Sequence, residues 1–309
     1  MPLYLTEADV DALLGPAEAR AAVAASFERL ARGAVENRPR QRIALDDGVF
    51  AVMHAVDVEL GLAGLKSYAW LPGGTPFLVV LFSLAEARVE AVVEAGRLGE
   101  LRTAAASAVA ATLLARSGAR SLGVIGCGRQ AASHVVALRE ALPGLEEVVA
   151  YCRDEERLDA FCERHDAVAA ETHREAGEQD VVVTATTSRD PVLRGDWLQD
   201  GALVLAIGAN DPAARELDNG VLDRASLVCV DSLEEAQLEA GDLIEPVGQG
   251  LLDWLEVHEL ARAVAGEEPG RQADDDVVLF KSNGLAAWDV AVAAAVVARA
   301  RERGGGREL

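Results

Sequence analysis

The sequence contains only two lysines, Lys66 and Lys281, although it has 29 basic residues among 309. A lysine at either position is therefore not explained by a lysine-rich composition. Acidic residues number 51, which gives a formal net charge of −22 at pH 7. A surface of this charge repels nucleic acids and anionic lipids, so we expect neither as a partner. Adaptation to high salt and an ordinary acidic chain both agree with this composition.

Metal-binding, disulfide and membrane patterns are missing as well. The four cysteines (Cys127, Cys152, Cys162 and Cys229) show no Cys-x-x-Cys spacing, and the five histidines show no ligand spacing. We interpret the cysteines as reduced thiols of a cytoplasmic protein and expect no metal site. No apolar run approaches the roughly 20 residues of a membrane span, and residues 1–20 lack the pattern of a signal peptide.

Residues 1–117 combine predicted helices with a run of consecutive strands. Thr6 precedes one helix, and Pro16 begins a second that ends near Arg32. Apolar or alternating segments separated by Asp-Gly and Pro-Gly turns predict strands at 3–5, 42–45, 49–53, 62–68, 77–82 and 88–93. Consecutive strands with short turns indicate a mostly antiparallel sheet. An alanine-rich helix is predicted to follow at 101–117.

A glycine-rich turn begins the second part of the chain. Residues 121–134 (SLGVIGCGRQAASH) consist of an apolar strand, the pattern Gly126-x-Gly128-x-x-Ala131 and the start of a helix. In such a turn the first glycine permits a sharp bend, the second lets the backbone approach a pyrophosphate, and the small third residue allows close helix–strand packing. The helix N-terminus offers backbone N–H groups to the anion.

Strands and helices alternate after this turn, with further strands predicted at 147–151, 181–185, 202–207 and 227–230. Their apolar character without alternation is typical of a parallel sheet covered on both faces. The fold class is therefore α/β, with a doubly wound (Rossmann) dinucleotide-binding domain at 118–284 beside an α+β domain. The α+β domain is expected to comprise 1–117 and, through a returning last helix, 285–309. Residues 304–309 are expected to form a frayed tail.

Four segments in one order carry a family resemblance. They are residues 101–105 (LRTAA), the glycine turn, residues 208–212 (GANDP) and residues 280–284 (FKSNG). With them the chain resembles the ornithine cyclodeaminase/mu-crystallin family over nearly its whole length. The resemblance implies that the α+β domain binds substrate and dimerises and that the Rossmann domain binds NAD(P). It also implies a homodimer that acts on α-amino acids or their cyclic imines.

The resemblance further implies a site for a substrate carboxylate. Lys66 and Arg102 match the family's carboxylate-binding lysine and arginine, Arg42 is expected as a third contact, and Met53 is expected beside them. Arginine can bind a carboxylate bidentately, whereas lysine acts as a point charge. Other interpretations remain open: a surface ion pair for Arg102, a solvated strand-edge lysine for Lys66, and plain surface charges for Arg40 and Arg42.

The expected cofactor contacts lie in the glycine turn, at strand ends and in the FKSNG segment. They are Gly126, Gly128, Arg129, Gln130, Ala131, Arg153, Thr186, Ser188, Gly208, Lys281 and Ser282. The second Rossmann strand ends in Cys152-Arg153-Asp154. An arginine there accommodates the 2′-phosphate of NADP, whereas an acidic residue selects NAD. Arg153 therefore predicts a preference for NADP, and Asp154 leaves NAD open.

The chemistry is predicted mainly from Asn210. Ornithine cyclodeaminases of the family have an acidic residue there, and a glutamate at the position of Ala51. Asparagine cannot carry a proton at neutral pH, although a one-residue shift would place Asp211 in the site. These departures favour the ketimine reductase/mu-crystallin-like branch.

The resulting hypothesis is an NAD(P)H-dependent oxidoreductase that reversibly reduces the C=N bond of α-imino acids. Its catalytic residues are then Lys66, Arg102 and Asn210. The alternatives are an ornithine cyclodeaminase, an alanine dehydrogenase, or an NADPH-binding, crystallin-like protein with little turnover.

Overall fold

A computed structural model describes residues 1–309, which form two compact units. The first unit comprises Met1–Ala106 with Gly284–Leu309, and the second comprises Ser107–Asn283. The division falls inside a continuous helix, Gly96–Leu114, whereas the sequence placed the boundary after residue 117. No linker marks the division at Ala106, because the helix runs through both sides of it. No helix is both long enough and apolar enough to cross a membrane.

The chain up to residue 114 forms six strands and three helices. In order they are β1 (Leu3–Leu5), α1 (Glu7–Leu13), α2 (Pro16–Ala31), β2 (Val35–Leu45), β3 (Gly48–Asp57), β4 (Leu62–Trp70), β5 (Phe77–Ser83), β6 (Arg88–Glu94) and α3 (Gly96–Leu114). Thr6 caps α1, since its side chain accepts a hydrogen bond from the Asp9 backbone N–H.

The Rossmann unit continues with alternating strands and helices. They are β7 (Ser121–Ile125), α4 (Arg129–Ala141), β8 (Glu147–Tyr151), α5 (Glu155–His165), β9 (Val168–Ala169), α6 (His173–Gly177), β10 (Val181–Thr184), β11 (Leu203–Ala206), α7 (Asn219–Arg224), β12 (Ala225–Val230), α8 (Leu233–Glu239), α9 (Gly241–Gly248), β13 (Val257–Glu259), α10 (Leu260–Val264) and β14 (Val277–Lys281). The chain then returns to the first unit with α11 (Ala286–Arg303) and β15 (Arg307–Glu308).

Each unit is built on one sheet. The first sheet has the order β15-β1-β6-β5-β4-β3-β2, and its strands β2 to β6 pair antiparallel with their sequence neighbours. The second has the order β13-β12-β14-β11-β10-β7-β8-β9 with parallel pairing throughout. This confirms the predicted fold class: a doubly wound parallel sheet in one unit and a mostly antiparallel sheet in the other.

Two parts of the first sheet differ from the sequence prediction. Strand β2 begins at Val35 and not near residue 42, because it is an edge strand whose first half is polar and contains Pro39, and edge strands tolerate both. The expected frayed tail instead contains β15, where Tyr4 pairs with Arg307 and the Leu309 N–H donates to the Pro2 carbonyl at 2.9 Å. Backbone pairing along an open edge needs no apolar pattern, so periodicity cannot detect it.

Candidate active site

A cluster of buried charges lies in the first unit, where β4, α3 and α11 each contribute one residue. Lys66, Arg102 and Asp289 are only 4%, 6% and 1% exposed. The same carboxylate oxygen, Asp289 Oδ1, lies 3.1 Å from Lys66 Nζ and 3.2 Å from Arg102 Nε. Both cations are therefore buried and share one anion, which excludes the surface ion pair and the solvated lysine as interpretations.

The third cation beside Lys66 is Arg40, while Arg42 lies further along β2. The pairing of β2 with β3 shifts register between Arg38 and Gln41, so Pro39 and Arg40 together stand opposite Met53, which in turn pairs with Lys66. Arg40 is 8% exposed and its charge acts on Lys66, whereas Arg42 is exposed. The bulge inserts one residue into β2, and a regular strand pattern cannot anticipate the resulting one-residue shift of register. Arg42 remains a prediction as a substrate contact.

Burial and like charges weaken the proton affinity of Lys66. The pKa of Lys66 is lowered to about 8, first by burial and then by the charge of Arg102, while Asp289 acts in the opposite direction. A lysine in this condition changes charge close to neutral pH. The side chain can thus bind an anion when protonated and exchange a proton under mild conditions.

Two glycines leave space for the cationic side chains. A Cβ at Gly284, whose φ is +86°, would stand 2.4 Å from Arg102 Nη1. A Cβ at Gly99 would stand 3.3 Å from Lys66 Nζ. The Arg102 guanidinium also lies 5.8 Å from the ring centre of Trp288, a distance at which the ring face attracts a cation. The predicted FKSNG segment therefore ends at a glycine that the position of Arg102 requires.

The glycine turn has the geometry that its sequence predicts. Gly126 has φ +115°, and a Cβ there would stand 2.5 Å from the Ala185 carbonyl oxygen. Gly128 is the N-cap of α4, and a Cβ at Gly128 would meet nothing within 4 Å. Ala131 is fully buried. An open, side-chain-free helix N-terminus of this kind fits the pyrophosphate of a dinucleotide.

Helix α4 is held in place by a buried histidine. His134 Nδ1 lies 2.7 Å from the Gln130 carbonyl oxygen, and its Nε2 lies 2.9 Å from Ser107 Oγ. Since a carbonyl oxygen only accepts, Nδ1 carries the proton and Nε2 accepts from the hydroxyl. Burial lowers the pKa of His134 to about 4, so the imidazole is neutral in the folded protein.

This histidine predicts a pH-dependent stability. Above pH 6.5 the imidazole is neutral in both the folded and the unfolded chain, and its full contribution is present. As the pH falls from 6.5 to 4 only the unfolded chain takes up the proton, so the free energy of unfolding loses about 3 kcal/mol. Denaturant titrations of the parent and of His134→Gln at pH 7 and pH 4 measure this loss of unfolding free energy. An equal loss between the two pH values in both proteins would contradict the prediction.

A buried carboxylate, Glu216, organises the loops that follow β10 and β11. It accepts five hydrogen bonds of 2.7–3.2 Å, from Thr184 Oγ1, the N–H and Oγ1 of Thr186, and the N–H groups of Gly208 and Ala209. Burial raises the pKa of Glu216, and the nearby Lys281 charge opposes that rise. Two predicted cofactor contacts, Thr186 and Gly208, thus have their positions set by a residue that no sequence pattern marks.

Lys281 and Ser282 are used within the protein. Lys281 is fully buried, its ammonium lies 3.1 Å from Asp242 Oδ2, and it donates to the Ala209 carbonyl. The Ser282 hydroxyl donates to Asp231 Oδ2 at 2.9 Å. The charge of Lys281 therefore compensates a buried carboxylate beside the Gly208 loop. Direct cofactor contacts by these two side chains remain predictions.

The other predicted residues lie at exposed strand ends of the Rossmann unit. Asn210 is exposed after β11, and its neighbour Asp211 accepts from the Ala213 N–H at 2.9 Å within a local turn. The Ser188 hydroxyl donates to the Asp190 carbonyl at 2.7 Å. At the end of β8, Arg153 is exposed, whereas Asp154 caps α5 by accepting from the Arg157 N–H at 3.0 Å.

Asp289 and Asp242 are the residues that sequence reasoning missed most clearly. Asp289 stands in the first turn of α11, where an acidic residue is expected for its effect on the helix end alone. Its partner Lys66 is 223 residues away in the chain. Only a general rule indicated such a partner: a buried lysine needs a buried anion. The sequence does not show which of its 51 acidic residues supplies that anion.

The chain is similar to known proteins over nearly its whole length. The family model described as ornithine cyclodeaminase/mu-crystallin family matches residues 2–304. An alanine dehydrogenase of Archaeoglobus fulgidus is 34% identical over 319 residues, covering 99% of this chain and 98% of that protein. The structure of Thermococcus litoralis Δ1-pyrroline-2-carboxylate reductase in complex with NADH and L-proline has a TM-score of 0.94 at 29% identity, covering 99% and 100%. An archaeal alanine dehydrogenase dimer with bound NAD has a TM-score of 0.93 at 34% identity, covering 100% and 98%.

Proposed function

The chain belongs to the ornithine cyclodeaminase/mu-crystallin family, and we propose that it is an NAD(P)H-dependent oxidoreductase that reversibly reduces the C=N bond of α-imino acids. The observation that carries the proposal is the pair of buried cations, Lys66 and Arg102, on a single oxygen of Asp289. One carboxylate neutralises one of these two charges, so the pair retains the capacity to bind a further anion. The carboxylate of an α-imino acid has the required charge and shape.

The residues of the first unit bind and orient the substrate in this proposal. Asp289 contacts Arg102 only at Nε, and the two terminal nitrogens of a guanidinium form the edge that grips a carboxylate bidentately. Lys66 adds a point charge and, with its pKa lowered to about 8, can exchange a proton with the imine nitrogen. A protonated imine already carries the positive charge that makes its carbon electrophilic, so orientation supplies much of the catalysis.

The residues of the second unit hold the cofactor. NAD(P)H supplies the hydride when it is bound. The fit rests on the open N-terminus of α4 at Gly128 and on the bend at Gly126. The similar structures with NADH and with NAD support a nicotinamide cofactor. Glu216 holds the adjoining loops in place through its bonds to Thr186 and Gly208.

A cyclodeaminase activity has less support. Loss of an amine and ring closure need groups that move protons, whereas Asn210 cannot titrate and Ala51 is a fully buried methyl side chain. Asp211, the alternative acid, is occupied in a local turn. The similarity to alanine dehydrogenases keeps the reductive amination of 2-oxo acids, which also passes through an imino acid, within the proposal.

A panel of imino acids tests the proposed reaction. NADPH and NADH consumption is followed with Δ1-pyrroline-2-carboxylate, Δ1-piperideine-2-carboxylate, and pyruvate with ammonia. Ornithine with NAD⁺ is the comparison. We expect turnover with at least one imino acid and none with ornithine. Ammonia and proline from ornithine without any imine reduction would contradict the proposal, and NADPH binding without turnover on any substrate would favour a crystallin-like binding protein.

We expect NADPH to be preferred over NADH, because Arg153 is exposed at the end of β8 and Asp154 is engaged as a helix cap. An arginine in this place binds the 2′-phosphate of NADP. Arg153→Ser should lower kcat/KM for NADPH by about tenfold to a hundredfold, since a charge-assisted hydrogen bond contributes about 1.5–3 kcal/mol. The value for NADH should change little, and an equal loss with both cofactors would contradict the assignment.

We also propose that the protein is a homodimer. The face of the first sheet opposite α11 exposes Ile43, Phe50, Leu78 and Phe82, each at least 37% exposed. Ile43 and Phe50 are direct cross-strand partners. Exposed apolar side chains on one face of a sheet are typical of an association surface, and a similar structure is a dimer. A monomer mass measured by sedimentation equilibrium across micromolar concentrations would contradict this proposal.

A further inference from the structure

Asp289 is the one anion that both proposed substrate-binding cations contact. Its carboxylate is 1% exposed, Oδ1 takes both contacts, and Oδ2 has no hydrogen-bond partner. An isolated ion pair would be satisfied by one cation. The shared oxygen instead fixes the ammonium of Lys66 and the guanidinium of Arg102 relative to each other.

The position of Asp289 is itself determined by the start of α11. The helix begins directly after the Gly284 bend, and the Asn37 side chain of β2 accepts from the Ala287 N–H at 3.0 Å. Asp289 therefore stands in the first turn, where the helix dipole favours a negative charge. The carboxylate is held by a rigid element and not by a loop.

We propose that Asp289 is a positioning residue: it holds Lys66 and Arg102 side by side so that the two can bind one substrate carboxylate together. This inference rests on the proposed function for the identity of the substrate. Two cations this close repel each other, and burial adds to the cost of keeping both charged. Asp289 offsets both effects while contacting Arg102 at Nε, away from its two terminal nitrogens.

The proposal predicts a specific pH effect. The charged groups that act on Lys66 are Arg102, Asp289 and Arg40, and only Asp289 favours the protonated ammonium. In Asp289→Asn the lysine should lose its proton at lower pH, so the alkaline limb of kcat/KM for the imino acid should move down by about one pH unit or more. The KM for the imino acid should rise about tenfold to a hundredfold at pH 8 and less at pH 6, with the KM for NADPH unchanged.

A matched control comes from the same unit. Asp57 is also a buried aspartate, 1% exposed and 2.7 Å from Arg29 Nε. Asp57→Asn should lower stability without moving the pH profile or the KM for the imino acid. Asp289→Glu keeps the charge and should restore most of the alkaline limb. A wild-type profile in Asp289→Asn, or an equal change in Asp57→Asn, would overturn the proposal.

A binding measurement separates this proposal from the proposed reaction. Pyrrole-2-carboxylate is a planar carboxylate that cannot accept hydride, and its affinity can be measured by calorimetry in the presence of NADP⁺. We expect weaker binding to Asp289→Asn, with the loss increasing from pH 6 to pH 8, whether or not the protein reduces imines. Tighter binding to Asp289→Asn would show that Asp289 competes with the ligand and would overturn its positioning role.

If the asparagine variant does not fold, the same titration is carried out with Asp289→Glu. An affinity near that of the parent at both pH values supports the positioning role, and a loss of affinity that is the same at pH 6 and pH 8 overturns it.

Discussion

Arg102→Met is expected to lower kcat/KM for the imino acid by about 10³-fold, the largest kinetic effect that we predict. Removing one partner of a buried, charge-assisted carboxylate contact costs about 2–5 kcal/mol of binding to the reacting state. The fold should tolerate the change, because Lys66 still balances Asp289 one to one at 3.1 Å. Steady-state kinetics and thermal unfolding measure both quantities.

The comparison with Arg102→Lys makes this prediction specific. Lysine restores the charge but not the planar, two-pronged donor, so it should recover only part of the lost activity. NADPH binding, followed by the cofactor's fluorescence, should be unchanged in both variants because the proposal places Arg102 in the substrate site. Full activity of Arg102→Met would remove the carboxylate site from the proposed function. Loss of NADPH binding would show that the residue serves the cofactor.

Lys281→Met is expected to lower the free energy of unfolding by about 3–5 kcal/mol, the largest effect on stability. The substitution leaves Asp242 buried without its cation, with Glu216 close by, and an uncompensated buried charge carries a cost of this size. Arg262→Met is the matched control, since Arg262 pairs with Glu267 and Glu268 and half of its own side chain is exposed. Its loss should stay below about 1 kcal/mol.

Denaturant titration of both variants, with a double variant, tests this assignment. Lys281→Met combined with Asp242→Asn removes both charges and should recover part of the stability. The same variants discriminate the internal role of Lys281 from a cofactor contact. Parental stability together with a large loss of NADPH affinity would contradict the internal role and restore the residue to the cofactor site.

The sequence predicted the parts of the molecule that depend on local pattern. The Gly126–Ala131 turn, the parallel strands after it and the antiparallel run before it all follow from periodicity and turn residues, and the structure confirms them. The family resemblance pointed to Lys66 and Arg102. The structure brings them together, Lys66 from β4 and Arg102 from α3.

The features that sequence analysis missed depend on contacts between distant residues. Asp289 meets Lys66 and Arg102 only because α11 returns to the first sheet, and Glu216 meets Thr186 and Gly208 only because β10 and β11 are adjacent in the parallel sheet. A single inserted residue, the bulge in β2, sets which residues of that strand stand opposite Met53, and it leaves Arg40 buried and Arg42 exposed. None of these leaves a periodic signal in the sequence.

The most direct test of the central claim is the position of the transferred hydrogen. The protein is incubated with Δ1-pyrroline-2-carboxylate and NADPH deuterated at the C4 position of its nicotinamide, and the product is analysed by mass spectrometry and NMR. Both faces of C4 carry deuterium, so the result does not depend on which one is transferred. We predict proline with one deuterium at Cα, formed in a one-to-one ratio with NADP⁺. Unlabelled proline, or NADPH consumption without proline, would contradict reduction of the C=N bond by this protein.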